Sequence, residues 1–88
     1  MKYTVLWTRN AESKLASLWM AAIDREAVAT AANIIDGALG SHAPDCGESR
    51  PGDRRILHEP PLAVIFRVSE ADRKATVLDV WKYSKRSN

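Results

Sequence analysis

The chain has a single cysteine, Cys46, so no internal disulfide can form and no second thiol is present to share a metal. His42 lies four residues upstream, but two candidate ligands do not complete a zinc site. No metal and no other cofactor is therefore expected, and a reduced compartment is the natural setting. The opening MKYTVLWTRN has no apolar signal core, and no run approaches the length of a membrane span. The expected location is the cytoplasm, with no membrane partner. Repeats and low-complexity tracts are also missing. The 88 residues suit one domain, 1–88, near the lower end of what a single core holds together.

What is present is enough for a compact fold: 45% hydrophobic residues and three tryptophans exclude a disordered chain. The net charge is only +2, but it is unevenly placed. Residues 1–46 carry 4 Lys/Arg against 5 Asp/Glu, or −1, and residues 47–88 carry 9 against 6, or +3. A basic second half permits a polyanionic partner without requiring one.

KYTVLWT alternates, with Tyr3, Val5 and Trp7 on one side, as in a strand with a buried face. Thr8 offers an N-cap, and Ala11, Leu15, Leu18, Trp19 and Ala22 then recur at helical spacing. Asp24 caps a second helix whose apolar face is Val28, Ala31, Ala32, Ile35 and Leu39, with Gly40 as its expected stop. The short AAI link makes the two helices an antiparallel hairpin. Its alanines suit close packing or, alternatively, a docking groove for another chain. GSHAPDCGESRPGD has the turn residues of a loop. Strands follow at Arg54–Glu59, Leu62–Ser69 and Ala75–Lys82, joined by Pro60-Pro61 and by EADRK. The order β-α-α-β-β-β predicts an α+β fold: a mostly antiparallel sheet packed against an N-terminal helical hairpin. Strict alternation sets Val77, Asp79 and Trp81 against Thr76, Leu78, Val80 and Lys82. Neither of the last two strands has a cleanly polar face, so burial is expected on both sides.

RRILHEPPLAVIFRV holds the most suggestive chemistry. His58 and Glu59 are adjacent on a strand, so their side chains point to opposite faces and a dyad within hydrogen-bond reach is disfavoured. Pro60 also holds Glu59 extended, and a hairpin tip explains the pair. His58 alone, on one face with Arg54 and Ile56, remains a candidate acid or base. Arg50, Arg54, Arg55, Arg67, Lys82, Lys85 and Arg86 fall on or beside the last three strands. Guanidinium forks match phosphate oxygens, and a cluster of them stabilises charge that develops at phosphorus. Tyr83 can stack on a base or move a proton. The competing reading is a solvated basic rim paired with Glu48, Asp53 and Asp79.

YTVLWTRNAESKLASLW, ANIIDGAL, GESR…DRRILHEPPLAVIFRV and the closing ATVLDVWKYSKR together resemble the RelE/ParE toxin superfamily. These are the small toxins of type II toxin–antitoxin modules, sometimes called plasmid-stabilisation proteins. The likeness covers almost the whole chain and rests on the pattern of elements rather than a short motif. It implies a toxin held inactive by a cognate antitoxin protein. RelE-like members are metal-independent endoribonucleases that cut mRNA on the ribosome by 2′-hydroxyl attack, assisted by basic residues and an aromatic. ParE-like members instead poison DNA gyrase by binding.

Carried onto this sequence, the RelE-like pattern makes Arg54, Arg67, Lys82, Tyr83 and His58 the expected catalytic set. Arg50, Arg55, Lys85 and Arg86 become further RNA contacts. Ala63 stands where that pattern has an arginine early in the strand, and Arg67 comes later on the same face. The resemblance thus implies ribosome-dependent mRNA cleavage, with gyrase inhibition or a catalytically degenerate, antitoxin-binding member as the alternatives.

Overall fold

The computed structural model describes residues 2–83. β1 (Thr4–Trp7) leads into α1 (Arg9–Ala21) and α2 (Arg25–His42). A 3-10 turn (Ala43–Asp45) and four strands follow: β2 (Glu48–Arg50), β3 (Arg54–Glu59), β4 (Leu62–Ser69) and β5 (Lys74–Lys82). Both helix starts form as their sequence suggests. The Thr8 hydroxyl accepts from the Ala11 amide at 3.1 Å and donates to the Leu78 carbonyl at 3.2 Å, tying the start of α1 to β5. The Asp24 carboxylate accepts from the Ala27 amide at 3.0 Å. Either cap is worth about 1 kcal/mol.

The sheet has five strands in the order β1-β5-β4-β3-β2, with β1 parallel to β5 and every other pair antiparallel. The helical hairpin carries the chain from β1 at one edge of the sheet to β2 at the other, and the meander β2–β5 returns to pair β5 in parallel with β1. This is the α+β fold expected, with one strand more. The stretch read as a loop contains the end of α2, the 3-10 turn and β2. Gly40 does not stop α2. It stays inside the helix, and the Tyr3 amide donates to its carbonyl at 2.7 Å. A Cβ at Gly40 would meet the Val5 side chain at 3.8 Å, an ordinary contact, so β1 packs directly on this turn of α2.

Ala11 of α1 and Val28, Ala31, Ile35 and Leu39 of α2 pack in one buried cluster with Leu62, Val64 and Phe66 of β4 and Ala75, Val77 and Val80 of β5. Each large side chain fully removed from water there contributes about 1.5–3 kcal/mol. β5 does not alternate strictly. A register shift opposes Phe66 to Val77 but Ile65 to Asp79, so Leu78 is an extra residue in the manner of a bulge. Val77 and Val80 therefore both face the core, and Asp79 and Trp81 are carried to the other face. Among the described residues, no helix is long and apolar enough to cross a membrane.

Candidate nucleic-acid interface

Residues directly opposed on neighbouring strands share a face, so the register assembles the site. Away from the helices, three rows cross the sheet. The first runs Arg50, Arg54, Arg67, Thr76; the second Glu48, Ile56, Ile65, Asp79; the third His58, Ala63, Trp81. Tyr83 joins the third row, its ring centroid 4.5 Å from that of His58 at a 43° tilt. The Tyr83 amide donates to the Pro61 carbonyl at 2.9 Å, which fixes the end of β5 beside the β3–β4 turn.

The two ends of this face differ. Arg54 and Arg67 are exposed and directly opposed, and among the described residues neither has an ion-pair partner. Of the carboxylates proposed from sequence as neutralising groups, Glu48 pairs within the arginine row, with Arg50, and none pairs with Arg54 or Arg67 among the described residues. Asp79 pairs with Lys14 at 2.9 Å, Glu48 with Arg50 at 3.2 Å, and Asp53 forms no ion pair among the described residues. At the other end His58 is exposed while Ala63 beneath the aromatic row has no exposed surface. Between them Ile56, Ile65 and Trp81 make a half-buried apolar floor. The burial expected on both sides of the sheet thus holds for the floor and fails at the arginine row.

Arg54 and His58 are four residues apart on β3, about 13 Å along the strand. A polyanion laid across the face can place phosphate at the guanidinia and a base at His58 and Tyr83. One phosphate meets both ends only with the arginine side chains extended along the strands. The Lys14 ammonium, bonded to the Asp79 carboxylate, and the Val80 amide, donating at 2.8 Å, hold that carboxyl below its usual range. It stays ionised and occupied, and it does not neutralise the arginines.

Arg54, Arg67, His58 and Tyr83 are thus brought to one face, and Arg50 with them. Two other candidates are not. Arg55 opposes Phe66 on the helix side, its Nε donating to the Cys46 carbonyl at 2.7 Å and its Nη2 to the Gly47 carbonyl at 3.0 Å. Lys82 opposes Leu62, also on the helix side. It lines an apolar cleft of about 640 Å³ between the end of the helical hairpin and Pro60-Pro61. The bulge is the reason, because it sets Trp81 and Tyr83 on the open face and Lys82 on the other. Lys85 and Arg86 lie outside the described residues. Glu59 points away from His58, toward α2 and beside Ala31 and Ile34 in a shallow pocket, so the pair is split as strand geometry requires. Sequence reasoning missed the floor of Ile56, Ile65 and Trp81. Alternation in β3 and β4 carried a signal for the two isoleucines, whereas the bulge hid Trp81.

No protein-family model matches the sequence, and no curated protein matches it at a significant level. Solved structures do. The chain is similar to the RelBE2 toxin–antitoxin complex of Mycobacterium tuberculosis, with a TM-score of 0.78 at 16% identity, over 97% of this chain and 95% of that one. It is similar to the chromosomal ParDE toxin–antitoxin system of P. aeruginosa, with a TM-score of 0.65 at 19% identity, over 94% and 98%. Isolated E. coli RelE toxin gives 0.66 at 13% identity, over 96% and 87%. The fold is therefore that of the RelE/ParE toxins.

Proposed function

We propose that this chain is the toxin of a type II toxin–antitoxin module and that the open sheet face binds RNA. On this reading it is a metal-independent, ribosome-dependent mRNA endoribonuclease, restrained by a cognate antitoxin. The observation that carries it is the Arg54–Arg67 pair, without an ion-pair partner among the described residues, on the same face as the His58–Tyr83 contact. Directly opposed like charges destabilise a sheet, so a pair left without a carboxylate suits an anionic ligand. The RelE/ParE fold supports the toxin role.

In the cleavage step the 2′-oxygen bonds to phosphorus as the phosphorus–O5′ bond breaks. The 2′-hydroxyl proton goes to a base and a proton is supplied to the departing O5′. The products are a 2′,3′-cyclic phosphate and a 5′-hydroxyl. Arg54 and Arg67 would hold the phosphate oxygens and the charge that builds on them, a role in which fixed donors are worth most. His58 or Tyr83 would stack on a base or move the proton.

A second reading has its own observations. Ala63 is fully buried where an arginine is expected, and Lys82 faces the helices, so among the described residues the His58–Tyr83 end of the face has no lysine or arginine in its row. That favours a toxin acting by binding alone, DNA gyrase being the alternative target. Purified protein with programmed ribosomes and mRNA tests the choice. A-site cuts reduced more than tenfold by Arg54→Gln and Tyr83→Phe are expected. Intact mRNA at saturating protein, with supercoiling by gyrase inhibited, would replace the nuclease with the binding toxin.

A further inference from the structure

β2 is three residues long, Glu48-Ser49-Arg50, and none of the three is apolar. A strand polar on both faces specifies its own register weakly, and a slip of one residue moves every side chain to the opposite face. Such a slip would take Arg50 off the open face. What precedes β2 supplies the missing constraint. The single Cys46 S–H faces the carbonyls of His42 at 3.2 Å and Ala38 at 3.5 Å and donates to one or shares its proton between them, anchoring the segment to the end of α2. Gly47 sits at φ 66° with its Cα so close to the Ile56 carbonyl that a Cβ would overlap it. Arg55 reaches from β3 to the two carbonyls between these points, Cys46 and Gly47.

We infer that Arg55 is a positioning residue: its fork holds the Cys46–Gly47 backbone so that β2 pairs with β3 in the register that sets Arg50 beside Arg54. Arg50 then adds a third guanidinium to the Arg54–Arg67 pair, extending the site for the phosphates of a single-stranded polynucleotide. The inference rests on the reading of the open face as phosphate-binding. Arg55 itself meets no phosphate, since its side chain is on the helix side. A planar fork with two donors spans two carbonyls in a way that a lysine ammonium does not. The Glu48–Arg50 ion pair is exposed, of a kind that contributes little, and gives way to a phosphate oxygen.

The test is a double-mutant cycle read by binding of a labelled, unstructured oligoribonucleotide across a range of salt. Arg50→Gln is expected to lower the slope of log affinity against log salt by about 0.7, one phosphate contact. Arg55→Gln and Arg55→Lys should each lower it by the same amount, and neither should lower it further in the Arg50→Gln background. Additive losses, or full rescue by lysine, would overturn the positioning role, since both mean that Arg55 acts through its own charge. Amide exchange in β2 keeps the two ideas apart. Faster exchange of β2 in Arg55→Gln but not in Arg50→Gln is expected whether or not RNA binds. Unchanged exchange overturns the role of Arg55, and failure of the native protein to bind any RNA overturns only the reading of the face.

Discussion

Replacing Arg67 by glutamate should stabilise the fold and weaken RNA binding in the same protein. Arg67 lies directly opposite Arg54, with neither guanidinium neutralised by a described side chain. Opposed pairs of this kind contribute roughly 0.2–1 kcal/mol, favourable for unlike charges and unfavourable for like ones. Arg67→Gln removes the repulsion, and Arg67→Glu removes it and adds an attraction. The two steps together amount to about 1 kcal/mol, which in a domain of this size moves the melting temperature by about 4–8 °C. Thermal unfolding at low salt should thus rank Glu above Gln above the native arginine. The Debye length falls from about 30 Å at 0.01 M to about 3 Å at 1 M, so the ranking should collapse at high salt. RNA affinity should fall in the reverse order. If Arg67→Glu melts no higher than the native protein at low salt, the guanidinia are not in unrelieved opposition and the argument for an anion site loses its basis.

Gly47→Ala should destabilise by about 2 kcal/mol or more, read by denaturant unfolding, because the positive φ alone costs an L-residue roughly 1–2 kcal/mol. The added methyl must also push Ile56 and β2 apart. Asp79 has its folded-state pKa lowered, first by the Lys14 hydrogen bond, so its contribution is present above the unfolded value near 3.9. It is lost as pH falls through the lower folded value. Asp79→Asn should accordingly flatten the fall of melting temperature below about pH 4, by a small amount because both partners are more than a third exposed. A native-like acid limb in that variant would remove Asp79 as its source. Cys46 is buried and its thiol is pushed up by that burial, the nearby Arg55 charge opposing in part. A thiol reagent at neutral pH should label it only at the rate of unfolding, and rapid labelling of the native protein would show the anchor to α2 to be open.

Much of this arrangement was legible in the sequence because it depends on local periodicity. Thr8 and Asp24 cap the helices they precede, and Leu62, Val64 and Phe66 share the core face as alternation demands. Adjacency on a strand was enough to part His58 from Glu59. It is also enough to part Arg54 from Arg55, although the resemblance sets both against RNA. Which of them faces outward depends on which strand position opposes Phe66, a matter of tertiary register.

Three features needed the folded chain. β2 is all polar and carries no periodic signal of its own, and its pairing with β3 follows directly on the Cys46–Gly47 backbone to which Arg55 bonds. The parallel pairing of β1 with β5 joins residues about 70 positions apart, as in Thr4 with Lys74, and no local pattern reports it. The bulge at Leu78 breaks the alternation from which faces are read, which is why Trp81 and Tyr83 reach the open face and Lys82 does not. The sequence by itself determined the caps, the core stripe and the hairpin at Pro60-Pro61, because each is set by residues within a few positions of one another. Only the tertiary structure decided which cations stand together, because that depends on long-range register, where one extra residue in a strand moves every side chain beyond it to the other face.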